Sequence, residues 1–134
     1  MTMNPYLTFD GRCEAAFTFY ETCLNGRIVA MLRHGDMGGQ VPPEAKDHIL
    51  HARLMLGDQF LMGSDAPAGR YEAPRGFYVH IGAATPEEAE RLFTALSEGG
   101  TVHMPLQETF WAQRFAMLAD KFGTPWMINC EKPK

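Results

Sequence analysis

NPYLTFDGRCEAAFTFYETCLNGRIVAMLR, residues 4–33, places a strand-like run, a helix and a second strand-like run in one stretch. Asn4 to Phe9 is rich in apolar and β-prone side chains. Asp10 follows as the predicted N-cap, because a short side-chain oxygen can take one of the amides that a helix start leaves unpaired. Cys13, Ala16, Phe17, Tyr20, Cys23 and Leu24 then recur at helical spacing, so one stripe of the helix is apolar. Gly26 is the expected stop, and Arg27 to Arg33 the next strand. Beyond it lies a Gly- and Pro-rich loop, His34 to Asp47. Two further strands, His48 to Leu56 and Gln59 to Ser64, flank the hairpin signal Gly57-Asp58.

The same order returns downstream. Gly76 to Ile81 reads as a strand. Thr85-Pro86-Glu87-Glu88 joins an N-cap, a proline at the first helical position and a glutamate placed to close a capping box. Ala89, Leu92, Phe93 and Leu96 form the stripe of this helix, and Gly99-Gly100 ends it. Thr101 to Gln107, Arg114 to Ala119 and Trp126 to Cys130 are the remaining strands, with Gly123 in the last turn able to take positive φ. Each half therefore reads strand, helix, strand, strand, strand (1–66 and 75–134). The expected fold is one α+β domain over 1–134: two βαβββ modules forming curved mixed sheets around a cleft, one helix outside each sheet. The long loops His34 to Asp47 and Asp65 to Pro74 are either lids or dimer contacts, or plain surface loops.

Composition narrows the function classes. With 134 residues, 46% hydrophobic and 21% charged, the chain is long enough to bury a core without staples. A net charge of -4 with scattered Lys and Arg argues against a nucleic-acid partner. No apolar run approaches the roughly 20 residues of a membrane helix, and Met1 to Phe9 has no secretory pattern. A cytoplasmic location follows as an expectation. Cys13, Cys23 and Cys130 form no ligand set and are expected as buried, reduced thiols.

Three segments carry a family resemblance: NPYLTFDGRCEAAFTFY (Asn4 to Tyr20), HARLMLGDQFLMGSD (His51 to Asp65) and MPLQETFWAQRFAMLADKFGTPWMINCE (Met104 to Glu131). Together they resemble the PhnB-like branch of the vicinal-oxygen-chelate superfamily, sometimes labelled 3-demethylubiquinone 3-methyltransferase-like. The resemblance implies paired βαβββ modules and a homodimer. It also implies, for the superfamily's enzymes, a divalent metal held by His and Glu on the first strand of each half and on the last strand. Carried onto this chain, those positions fall at Pro5, Phe77 and Met127, whose side chains are unsuited to a hard cation. The expectation is accordingly no metal and no other cofactor.

The third strand alternates: Leu50, Ala52, Leu54 and Leu56 are assigned to the helix-covered face, and Ile49, His51, Arg53 and Met55 to the cleft. His51 and Arg53 either hold an anionic ligand or are satisfied by carboxylates or a dimer partner. Phe110, Trp111, Phe115 and Met127 offer a soft wall for a planar or apolar ligand, with Glu108 and Asn129 as polar groups nearby. Core filling is the competing role for Phe115 and Trp126. The candidate ligand-binding set is thus His51, Arg53, Phe77, Glu108, Trp111, Phe115, Met127 and Asn129. His80 and His103 are expected at the surface or on the opposite face.

No catalytic motif stands out: there is no G-x-S-x-G elbow, P-loop or H-E-x-x-H helix. The helix openings Asp10-Gly11-Arg12 and Thr85-Pro86-Glu87 form no glycine-rich cofactor cradle, so methyl transfer finds no support in these residues. Three readings remain. The first is a binding protein for a small organic molecule, lacking the superfamily metal centre. The second is a metal-dependent glyoxalase- or dioxygenase-type lyase or isomerase with ligands at unusual positions, such as His51 with Glu108 or Glu131. The third is a bleomycin-resistance-type protein that sequesters a drug in a dimer groove.

Overall fold

The first unit, Met1–Glu72, is organised by what sits on each face of one sheet. In the computed structural model, which describes residues 1–38 and 41–134, its strands are β1 (Tyr6–Phe9), β2 (Arg27–Arg33), β3 (Ile49–Leu56) and β4 (Gln59–Asp65). They are ordered β1-β4-β3-β2, parallel between β1 and β4 and antiparallel elsewhere. Helix α1 (Cys13–Leu24) packs on β3, β2 and β4. Its stripe of Cys13, Ala16, Phe17, Tyr20 and Cys23 is buried, together with Leu7, Phe9, Ala52, Leu54 and Leu61. Two 3-10 turns, His34–Met37 and Pro43–Ala45, lie between β2 and β3; Gly39 and Gln40 of that predicted loop fall outside the described residues.

The second unit, Ala73–Lys134, repeats the order with β5 (Val79–Gly82), α2 (Pro86–Ser97), β6 (Thr101–Gln107), β7 (Ala112–Ala119) and β8 (Pro125–Glu131). The sheet runs β5-β8-β7-β6, with β5 parallel to β8. Beneath α2 the buried stripe Ala89, Leu92 and Leu96 meets Ala116, Leu118, Trp126 and Ile128. The α+β class and the repeated element order read from the sequence are those observed.

The helix starts differ in instructive ways. Thr85 caps α2 as expected, its Oγ1 accepting from the Glu88 amide at 3.1 Å, while Glu88 Oε2 accepts from the Ala84 amide at 3.0 Å. Asp10 does not cap α1. That helix begins at Cys13, its flanking residue Arg12 gives no side-chain cap, and the first amide is taken by a carboxylate from the far end of the unit. Asp65, brought beside Phe9 by the β1–β4 register, accepts from the Cys13 amide at 3.0 Å and from the Ile49 amide at 2.8 Å. At the other end Asn25 rather than Gly26 takes the left-handed conformation (φ 56°). Gly26 is needed for space instead: a Cβ there would lie 2.6 Å from Leu56 Cδ2 and 2.8 Å from the Met55 carbonyl.

Several boundaries and one face also depart from the reading of the sequence; β7, for one, begins at Ala112 rather than Arg114. β1 starts at Tyr6 because Pro5 has no amide to donate and contributes only its carbonyl, to Met62. β5 starts at Val79, since its partner β8 begins at Pro125 opposite Val79–Trp126, and Phe77 and Tyr78 are left outside the ladder. On β3 the alternation breaks at a register shift: Leu32 faces His51 but Arg33 faces Ile49. The extra residue, Leu50, is 39% exposed and Ile49 is fully buried, the reverse of the predicted assignment.

Replacing Asp65 with Ala orphans two buried donors, and the expected loss is about 3 kcal/mol in urea unfolding, against less than about 0.5 kcal/mol for Asp10→Ala. Comparable effects at both positions would remove the cap assignment. Burial, and then the neighbouring Asp65 and Glu14 carboxylates, push the Cys13 thiol well above its ordinary value of 9.0. A thiol so raised in the fold favours folding only while the unfolded chain keeps its own proton. Its contribution is complete below pH 9 and falls above it, by about 1.4 kcal/mol per pH unit at most. Stability measured between pH 8 and 10.5 should decline less steeply in Cys13→Ala than in the parent.

Candidate functional site

Each sheet buries one face under its helix, so ligand chemistry falls to the face opposite. In the first unit that face carries Tyr6, His51, Arg53, Phe60 and Met62, by the β1–β4 and β3–β4 registers. The His51 ring stacks on Tyr6 (centroids 5.8 Å apart, interplanar angle 30°), and Tyr6 Oη lies 3.3 Å from His51 Nδ1. Arg53 lies over the Phe60 ring, 5.0 Å from its centroid, and its Nη2 donates to Met62 Sδ at 3.6 Å. Its Nε is buried with no hydrogen-bond partner. Among the described residues no carboxylate pairs with Arg53 or His51.

The second unit holds a hollow of about 590 Å³ on its own face, within the size range of small-molecule sites. Phe77, Tyr78, His103 and Met127 line it, with Ala119 and Pro125 below and Pro74, Arg75, Gly76 and Gly123 at the rim. Tyr78 Oη and His103 Nδ1 are 2.9 Å apart. Their approach depends on two irregularities. Tyr78 is free of the β5 ladder, and a register shift between Val102 and Met104 turns β6 at His103.

The remaining predicted residues are placed as follows. Phe115 is buried and pairs with Asn129 across β7–β8; Asn129 Oδ1 is buried and unpartnered. Trp111, 45% exposed, meets Phe115 edge to face at 5.3 Å and Phe110 at 4.8 Å. Glu108 is turned toward Lys132, 3.8 Å away and largely in solvent. Phe77 and Met127 share the hollow, and His51 and Arg53 share the first unit's face. Trp126 fills the core, its indole N–H donating to Asp120 Oδ2 at 2.8 Å. Sequence reasoning left Tyr78, His103 and Arg75 out of the site. The adjacency of Tyr78 to Phe77 was a usable signal, whereas the bulge that aims His103 was not.

Residues 1–129 match the pattern of a protein family described as 3-demethylubiquinone-9 3-methyltransferase. The chain belongs to that family. Protein YjdN of Escherichia coli is 34% identical, over 98% of this chain and 97% of its own length. The crystal structure of protein PA1353 from Pseudomonas aeruginosa is 47% identical with a TM-score of 0.90, covering 99% of both chains. The PhnB protein from Bacillus cereus, 25% identical, superposes with a TM-score of 0.81 over 97% of this chain and 99% of that one. At 13–14% identity, glyoxalase/bleomycin-resistance/dioxygenase domains share the fold with TM-scores of 0.71 and 0.68. The chain thus has the fold of those domains.

The lining of the second unit's hollow does not fit a hard divalent cation, since it holds one imidazole and no carboxylate. Phe77 and Met127 contribute a ring and a thioether to it, and among the described residues no three His, Cys, Asp or Glu side chains converge. An apolar wall at these positions favours an organic group over a hydrated cation.

The two tryptophans report this geometry directly. Acrylamide should quench the half-exposed Trp111 and leave Trp126, 1% exposed, nearly untouched. Trp111→Phe should leave only blue-shifted, poorly quenched emission. An unchanged quenching curve would contradict the placement of both rings.

Proposed function

We propose that this protein binds a small organic molecule in the second unit's hollow, without the superfamily's metal centre. The observation carrying this reading is the hollow of about 590 Å³ lined by Phe77 and Met127 beside the Tyr78–His103 pair, with no carboxylate in its lining. Rings and thioethers adapt to flat, apolar bodies, and a few placed polar groups set orientation. Trp111, Phe115 and Asn129 extend the same sheet face, with the buried Asn129 oxygen still lacking a donor. On the first unit, His51 and Arg53 offer a further set of donors, Arg53 with its Nε unused.

Methyl transfer, named in the family's description, is not part of this reading. A nucleotide-like cofactor needs a glycine-rich turn whose amides face it at a helix start. Here the first amide of α1 is held by Asp65, and α2 is capped by its own Thr85. The reading includes a homodimer in the cytoplasm. Supporting it, Tyr6, Leu32 and Phe77 remain 49%, 42% and 49% exposed, and the three thiols are free and buried.

Protein purified without chelator should contain no stoichiometric metal, and its melting temperature should not shift saturably with Zn²⁺, Ni²⁺, Mn²⁺ or Fe²⁺. Small aromatic compounds should raise it saturably, and Met127→Trp should abolish that rise by filling the hollow. A tight metal, or ligand shifts indifferent to Met127→Trp, would reverse the conclusion.

A further inference from the structure

We infer that the hollow is selective for organic anions: molecules carrying one carboxylate-type charge on a flat, apolar body. This rests on the binding reading above and adds the ligand's chemical class. Three features of the lining lead to it.

The first is charge. The chain as a whole is acidic, with a net charge of -4, yet no Asp or Glu lines the hollow and Arg75 does. Among the described residues Arg75 has neither an ion pair nor a hydrogen bond. Its planar fork is therefore available to a carboxylate, the group that it matches in geometry. Exposed Glu72, two residues before Pro74, is outside the lining and makes no ion pair with Arg75. Asp120, three before Gly123, is already consumed. Its Oδ1 accepts from the Phe122 and Thr124 amides at 2.8 and 3.1 Å, and its Oδ2 from the Trp126 indole.

The second is the hydrogen-bond arithmetic of Tyr78 and His103. If the phenol donates to Nδ1, the neutral imidazole must carry its proton on Nε2. If instead Nδ1–H donates, the phenol keeps its O–H. A protonated imidazole has both. In every state the pair retains a donor hydrogen beyond the bond it makes with itself. A carboxylate can meet that donor with either of its two oxygens, whereas a carboxamide has one oxygen for it and an amino group that cannot accept it.

The third is the remaining surface. Phe77, Met127, Pro125, Ala119 and Pro74 supply an apolar wall with one aromatic face and one polarisable sulfur. This fits a ring system, and a volume of about 590 Å³ admits one or two fused rings.

The test uses matched pairs differing only in charge: benzoate and benzamide, naphthalene-2-carboxylate and its carboxamide, indole-3-carboxylate and its carboxamide. Affinity is read by calorimetry, and location by the Met127 methyl signal in spectra of methionine-methyl-labelled protein, assigned with Met127→Leu. Acids are expected to shift the Met127 signal saturably and to bind at least about tenfold more tightly than their amides, the scale of a charge-assisted hydrogen bond. Arg75→Gln should erase most of that preference, and Tyr78→Phe combined with His103→Asn should reduce it further. Acid and amide binding equally at Met127 would overturn the anion selectivity and leave the hollow as a binding site. An acid preference that survives Arg75→Gln, or acids that bind without moving Met127, would also overturn it. If no member of any pair moves Met127, the binding reading itself fails, and the selectivity with it.

Discussion

The carboxylate of Asp65 ties together three pieces of the first unit that the chain delivers separately. Its two oxygens accept the Cys13 amide, at the start of α1, and the Ile49 amide, at the start of β3. The residue itself ends β4 and is held beside Phe9 of β1. A negative group at a helix start meets both unpaired amides and the positive end of the helix dipole. Because the group is buried, water cannot stand in for it, so the packing of α1 on the sheet and the pairing of β3 succeed or fail together. The second unit uses its buried Asp120 differently, to close the β7–β8 turn and satisfy the indole of Trp126.

With one face of each sheet committed to its helix, the other face is free to differ in chemistry. In the first unit it bears stacked and cation–π contacts around His51 and Arg53. In the second it bears the hollow, with Tyr78 and His103 joined at 2.9 Å. Phe77 and Met127 give the hollow a ring and a thioether. The fold is shared at 13% identity, since a backbone of paired strands specifies positions and not the groups that occupy them.

Much of the architecture was legible in the residues. The capping box at Thr85 to Glu88 located α2, and the apolar spacing from Cys13 to Leu24 located α1. Gly57-Asp58 marked the β3–β4 hairpin, and both β2 and β6 have the predicted bounds. What eluded the sequence shares one cause. Asp10 was the nearest oxygen to the α1 start in sequence, but the cap comes from 52 residues away. Leu50 and Ile49 exchanged faces because a register shift, set by the partner strand, interrupts strict alternation. Gly26 was read as the helix stop and is required for its lack of a Cβ beside Leu56.

The site followed the same division. Sequence patterning singled out Phe77, Met127, Trp111 and Phe115, because apolar and aromatic side chains at strand positions must face something other than water. It had no means to find the Tyr78–His103 pair, whose members are 25 residues apart and meet only because one leaves its strand early and the other follows a register shift. By itself the sequence determined the order of elements and the apolar stripes, since these depend on residue identity and local spacing. Tertiary structure alone decided which carboxylate caps α1, which of two neighbours on β3 is buried, and which polar groups border the hollow. Those outcomes are set by register between strands distant in the chain, a quantity that local preference does not contain.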